Sequence, residues 1–376
     1  MLSKKKIIFN ASCTLETPAG ISRYCKELSY FIKKFKNFDT FFFLRDRLLK
    51  NIPEYNPLIN FDLKKYFRKI PFSYQIKYYL EQKNFASLIE NRNFNIYHET
   101  NLILKPFNGA RILTVFDLSW DLYEKFHPKE RVNFLKNNFR KSISSADAII
   151  TISNVVKKEL ENLYGIDSKK IFVTHLGYSK YFLRSISEKK SREFFEKFKL
   201  NKNNYFLTIS TLEPRKNLVS AIEAYSRLDI DKNFFHYVIV GSLGWDYNEI
   251  LKKINNTEGV KLIINPTRTE LILLMQNQKA HLYPSFSEGF GLPVLESMSL
   301  GKPVVASAIK VIKEVAKNSV LFINPKSVND IKKSLETVLT DKKLVSALGL
   351  KAKKRSKDFS WEKCAKQTSE VYLKFI

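Results

Sequence analysis

Cysteine is scarce in this chain: three in 376 residues, Cys13, Cys25 and Cys364. Their separations match no metal-ligand spacing and suggest no disulfide framework, so they read as reduced thiols of a cytosol-like compartment. Long apolar runs are missing too. No stretch approaches the roughly 20 apolar residues a membrane-crossing helix requires. The N-terminal MLSKKKIIFNASC holds only a very short apolar run, which reads as a first strand and not as a signal peptide. There is no internal repeat and no low-complexity linker. Acidic residues are in deficit, 37 against 64 Lys and Arg, for a net charge of +27.

That excess is spread evenly, +14 over residues 1–180 and +13 over the remainder, so it is not an appended basic tail. Nucleic acid and anionic lipid would both attract such a surface. The segment Leu63 to Phe85 favours lipid. In it Lys64, Lys65, Arg68, Lys69 and Lys77 alternate with Tyr66, Phe67, Phe72, Tyr74, Tyr78 and Tyr79, the mixture an interfacial membrane segment uses. The competing reading is a pair of amphipathic helices broken at Pro71 with the aromatics in the core. Basic aromatic clusters also bind single-stranded nucleic acid, but no nucleic-acid motif accompanies this one, and nucleic acid is not an expected partner.

A length of 376 residues with 44% apolar content suits two domains of ordinary size. Short apolar runs alternate with helical periods. Strands are expected at Lys6–Phe9, Thr40–Leu44, Phe94–His98, Ile112–Phe116, Ala148–Ile152 and Phe172–His175. A second set follows at Tyr205–Ile209, Tyr237–Val240, Val260–Ile264, His281–Tyr283, Pro303–Ala306 and Val320–Ile323. Such alternation implies two α/β domains, each a doubly wound parallel sheet. The polar, highly charged stretch from Ser179 to Asn204 is the expected boundary. We divide the chain into residues 1–185, 186–360 and a last helix, 361–376.

Two blocks carry chemistry. The first, PSFSEGFGLPVLESMSLGKPVVAS from Pro284 to Ser307, reads as strand end, glycine turn, helix and strand. Gly289 and Gly291 permit a sharp turn and close approach to a ligand, and Pro293 suits a first helical turn. The N-terminus of that helix is a ready anion site. Glu288 in the loop and Glu296 one turn into the helix make little sense as packing beside such a site. They suit a ligand that carries hydroxyls and phosphates together, as a nucleotide sugar does. The second block, TLEPRKN from Thr211 to Asn217, places Arg215 and Lys216 at a helix start, where two cations oppose the helix dipole unless an anion binds.

The first block closely resembles the E-x7-E signature of retaining glycosyltransferases of family 4 (glycosyltransferase group 1), and TLEPRKN resembles that family's diphosphate-binding block. GISRY (Gly20 to Tyr24), FDLSWDLYEKFHPKERV (Phe116 to Val132), ADAIITIS (Ala146 to Ser153) and FSWEKCA (Phe359 to Ala365) resemble further pieces of the family and follow its order, and the FHPKERV and FSWE parts resemble its mannosyltransferase-like branch. The resemblance implies the GT-B fold, two Rossmann-like domains facing a central cleft, with an N-terminal acceptor domain and a C-terminal nucleotide-sugar domain. It also implies that the last helix crosses back to the first domain.

The resemblance assigns Glu296 to the ribose hydroxyls and Glu288 to the transferred sugar. Arg215 and Lys216 take the diphosphate, and Gly289, Phe290, Gly291 and Leu292 line the donor. Gly20 approaches the phosphates from the first domain, and Asp117 and His127 are acceptor-side candidates. It implies a nucleotide-sugar donor and a lipid-linked or glycan acceptor, with no cofactor and no required metal. It further implies a cytoplasmic enzyme, peripheral at the inner face of the cell membrane. Asp229-Ile230-Asp231 matches the D-x-D motif of metal-dependent transferases, but it follows a helix and is discounted. One departure is Phe116, where the family often has a histidine before Asp-Leu. The expected activity is therefore hexose transfer, with mannose from GDP-mannose as the narrow choice. The alternatives are a catalytically weak sugar-binding or scaffold homologue and a nucleic-acid-binding protein.

Overall fold

The computed structural model describes residues 4–15, 20–54 and 73–376. Its contacts divide the chain into two compact units, Met1–Gly177 with Ser360–Ile376, and Tyr178–Phe359. The division falls at Gly177–Tyr178, ahead of the expected residue 185. The reason is packing: Phe182, Phe194 and Phe195 join the second unit's core with Tyr205, Leu207 and Val240.

The first unit is built on seven strands: β1 (Lys5–Asn10), β2 (Phe38–Leu44), β3 (Arg47–Leu49), β4 (Ile96–Glu99), β5 (Ala110–Val115), β6 (Ala148–Thr151) and β7 (Ile171–Val173). Their order is β3-β2-β1-β4-β5-β6-β7. β1, β4, β5 and β6 each end in four buried residues, as helix-covered parallel strands must, although two of those in β4 are the polar His98 and Glu99. β3 corrects the expectation of an all-parallel sheet. It pairs antiparallel with β2 through a tight turn in which Arg45 adopts φ 57°. The last helix, Trp361–Leu373, packs on the helix Gly20–Ile32.

His98 ties that helix to the sheet, with Nδ1 2.6 Å from Tyr372 Oη and Nε2 2.6 Å from Thr114 Oγ1. It is a core residue. Cys13 and Cys25, twelve residues apart in sequence, bring their sulfurs within 3.4 Å, and all three cysteines are free thiols.

The second unit has six parallel strands: β8 (Tyr205–Ile209), β9 (His236–Gly241), β10 (Val260–Ile264), β11 (Ala280–Tyr283), β12 (Val304–Ser307) and β13 (Leu321–Ile323). Their order is β10-β9-β8-β11-β12-β13. The order reverses between β8 and β11, and ligands of open parallel sheets bind beyond the carboxyl ends of the strands at such a reversal. The segments that leave those two strands are Ser210–Asn217 and Pro284–Gly291, the two blocks singled out in the sequence. The first unit has the same reversal between β1 and β4.

Candidate active site

The loop after β8 is braced from below. Leu212 N donates to Ser242 O at 2.9 Å and Gly244 N donates to Leu212 O at 3.1 Å, so the loop runs as an extra bridge beside the end of β9. A Cβ on Gly241 would lie 1.8 Å from Ser210 O, so only glycine allows this approach. Pro214–Lys216 then form a 3-10 turn, and Asn217 in the left-handed region (φ 55°) starts the helix Leu218–Ser226. Asn217 Nδ2 donates to Pro284 O at 3.1 Å and to Pro325 O at 2.7 Å. Phe286 N donates to Arg215 O at 3.0 Å. The two signature loops are thus one hydrogen-bonded surface.

The loop after β11 ends at Gly291, whose φ of +91° places it outside what other residues adopt easily; a Cβ there would meet Ile312 Cδ1 at 2.6 Å. The helix Leu292–Ser299 follows, with Pro293 in its first turn as expected. Glu296 lies in that helix and is 1% exposed. Phe290 is buried edge-on to Phe359 at 5.7 Å, and Leu292 is buried beside it in sequence.

Four charged side chains meet at this surface. Lys216 Nζ lies 2.7 Å from Glu288 Oε1, and Arg215 Nη1 lies 3.3 Å from Glu288 Oε2 and 2.5 Å from Ser287 O. The other edge of the guanidinium, Nε and Nη2, donates to Glu213 Oε1 at 3.1 and 2.7 Å. Arg215, Lys216 and Glu213 are each less than a tenth exposed. Charges so buried persist only when paired. Burial alone would raise the Glu288 pKa, but Lys216 and Arg215, with the Ser285 hydroxyl, outweigh it and hold the carboxyl below its usual range. Tyr283 is buried beneath, and its hydroxyl bonds Glu288.

The structure therefore brings Arg215, Lys216 and Glu288 into contact. Gly289, Phe290 and Gly291 lie in the same loop as Glu288, and Leu292 and Glu296 lie in the helix that follows. Sequence reading missed Glu213, Tyr283 and Ser285, which orient this group, and Gly241 and Gly244, which brace the loop. The spacing G-x-x-G directly after an apolar strand was the signal for the glycines; nothing in the sequence marks Glu213 as facing Arg215.

In the first unit, Gly20 opens its helix and a Cβ there would meet nothing within 4 Å, so packing does not demand glycine. Asp117 Oδ1 accepts from Ser119 N at 2.9 Å and Ser119 Oγ at 2.6 Å, which folds the turn after β5. His127 is buried with Nδ1 3.5 Å from Arg131 Nη1. Phe116 packs edge-on to Tyr24 at 5.0 Å. Asp231 Oδ1 accepts from Asn233 N at 2.9 Å and serves a turn.

The segment from Leu63 to Phe72 lies outside the described residues. Its continuation is the helix Ser73–Ile89. Tyr74 and Tyr78 pack against Phe134 in the core, whereas Ile76, Tyr79 and Leu80 are more than half exposed on one face, with Lys77 and Lys83 also exposed. Among the described residues no helix is long and apolar enough to cross a membrane.

Comparison with known proteins places these features. The family model for glycosyl transferases group 1 matches residues 189–355. The chain is 30% identical over 319 residues to the O-antigen chain mannosyltransferase B of Escherichia coli, covering 82% of each protein. Among solved structures, sucrose-phosphate synthase from Thermosynechococcus elongatus superposes with a TM-score of 0.74 at 16% identity, covering 99% of both chains. WaaG, a glycosyltransferase involved in lipopolysaccharide biosynthesis, does so with a TM-score of 0.71 at 14% identity, covering 97% and 99%. The two doubly wound units have the GT-B fold.

Proposed function

Because this chain belongs to the glycosyl transferases of group 1, we propose that it moves a hexose from a nucleotide sugar to a glycan acceptor with retention of configuration and without a metal. We further propose mannose from GDP-mannose as the donor and a lipid-linked or lipopolysaccharide glycan as the acceptor. The observation that carries this reading is the cluster at the β8–β11 reversal, where Arg215 and Lys216 converge on Glu288 beside the helix that holds Glu296. The mannose and O-antigen parts rest on the Escherichia coli relative's name.

The chemistry follows from the residues. Breaking the glycosidic bond leaves growing negative charge on the donor's diphosphate. Arg215 and Lys216 supply fixed positive charge in a mostly buried setting, where it stabilises the leaving group by a few kcal/mol. In this reading the two cations do the work a metal ion would otherwise do. Glu288 accepts hydroxyls of the sugar, and Glu296 accepts the ribose hydroxyls. In the first unit, Asp117 and His127 are the residues we assign to the acceptor.

The enzyme works as a peripheral protein at an anionic, cytoplasm-facing membrane. Ile76, Tyr79 and Leu80 present an apolar face with exposed Lys77 and Lys83 on the same helix, in a chain of net charge +27.

A thermal-shift panel of GDP, UDP, ADP and their sugars tests the donor reading. GDP and GDP-mannose should raise Tm most; a ligand at 100 times its Kd adds about 2.7 kcal/mol of stability. Glu296→Ala should abolish most of that shift. A panel with no response, or an unchanged response in Glu296→Ala, overturns the assignment.

A further inference from the structure

Two carboxylates hold opposite edges of one guanidinium. Glu213 takes Nε and Nη2 of Arg215, at 3.1 and 2.7 Å. Glu288 takes Nη1, at 3.3 Å, and also Lys216 Nζ, at 2.7 Å. The two are mounted differently. Glu213 leaves the same strand as Arg215, two residues earlier, on the loop bridged to Ser242 and Gly244. Glu288 sits in the separate loop between β11 and the helix Leu292–Ser299.

The donors through which the two cations converge are Arg215 Nη1, which also donates to Ser287 O at 2.5 Å, and Lys216 Nζ. Both now reach Glu288, so a diphosphate that bridges the two cations meets that carboxylate first. The Nε–Nη2 edge need not move. Resting on the donor-site reading above, we propose that Glu288 is an internal counter-ion which the donor's diphosphate displaces, and that Glu213 is a positioning residue which keeps Arg215 aimed while the exchange takes place. Phosphate arrival then releases the Glu288 carboxylate to accept hydroxyls of the donor's sugar. The cations stay neutralised in the empty site, and the sugar-binding carboxylate is delivered only when a diphosphate has entered. A free nucleoside brings no anion and leaves Glu288 in place. Tyr283 and Ser285, whose hydroxyls bond Glu288, give up a partner in the exchange.

The two carboxylates should therefore respond in opposite directions. Glu288→Gln removes the competing anion, so GDP binds about tenfold tighter although sugar transfer falls. Glu213→Asp keeps the charge but draws it back by one methylene, so it cannot span Nε and Nη2. GDP should bind about tenfold more weakly, while guanosine, which has no phosphates, binds as to the wild type.

Isothermal titration of both variants and the wild type with GDP and with guanosine, at one ionic strength, decides it; UDP and ADP run in parallel. GDP binding that is unchanged or weaker in Glu288→Gln overturns the exchange. Unchanged GDP binding in Glu213→Asp, or equal losses for GDP and guanosine, overturns the positioning role. A wild type that binds none of the three nucleoside diphosphates overturns the donor-site reading itself, and this proposal with it.

Discussion

Arg215 and Lys216 follow one another in the chain, yet both reach Glu288, 73 and 72 residues away, because β8 and β11 are neighbours in the sheet. Replacing either cation with Ala should lower turnover at least about tenfold, or about 1.4 kcal/mol, by removing charge from the leaving diphosphate. EDTA should leave the wild-type rate unchanged; activity abolished by EDTA and restored by manganese would contradict this. Steady-state kinetics of the variants with and without EDTA is the check.

His98 and His281 carry a second prediction at this scale. Burial pushes both down to about 3, against about 6.5 in an unfolded chain. Above pH 6.5 neither state binds a proton there, and the stabilising contribution is complete. Below it the unfolded chain takes up protons that the native one refuses. Stability then falls by up to about 1.4 kcal/mol per pH unit for each histidine. Urea midpoints should drop from pH 7 to pH 5.5, and by less in His98→Gln. An equal drop in wild type and variant would show that His98 titrates freely in the native state.

The residues of the proposed donor site stood out because their types conflict with packing: two cations at a helix start, two carboxylates around glycines. Glu213 was not, because a carboxylate two residues before an arginine is as common on a solvated loop. Its role appears only when Arg215 is seen with its two edges held apart.

At the scale of elements, the parallel strands were legible from their apolar runs, because both faces of such strands are covered. The end residues drifted by one or two, as ladder pairing and not hydropathy decides where a strand stops; β4, for example, runs Ile96–Glu99 where Phe94–His98 was expected. β3 escaped notice because three residues at a sheet edge, one of them Arg47, show no alternation. The Cys13–Cys25 contact was hidden by their separation of twelve positions in sequence.

The helix Ser73–Ile89 splits the aromatic cluster that the sequence showed as a single mixture. Tyr74 and Tyr78 go to the core, which matches the competing reading for those two, while Tyr79 goes to the surface with Ile76 and Leu80. Changing Ile76, Tyr79 and Leu80 to Ser should release the protein from anionic vesicles and leave GDP binding intact, because the proposed donor residues Arg215, Lys216, Glu288 and Glu296 lie in the other unit. Flotation of both proteins is the assay; a variant that floats as well as the wild type would assign this face no part in membrane contact.

For the whole molecule, chain length and the doubling of the strand–helix alternation foretold two α/β units. What composition could not supply is the strand order. The reversal between β8 and β11 is what turns two distant sequence blocks into one surface. The net charge of +27 belongs to this scale as well. It should make vesicle binding fall steeply with salt, since exposed charges are screened beyond about 10 Å at 0.1 M ionic strength.

The central claim is metal-independent sugar transfer with retained configuration, and the most direct test is a time-resolved proton NMR spectrum of GDP-α-mannose incubated with the protein and EDTA. The account predicts loss of the donor signal and, at early times, an anomeric signal of α configuration in the released or transferred mannose. A β signal at early times, a donor left intact, or consumption that begins only when manganese is added would contradict it.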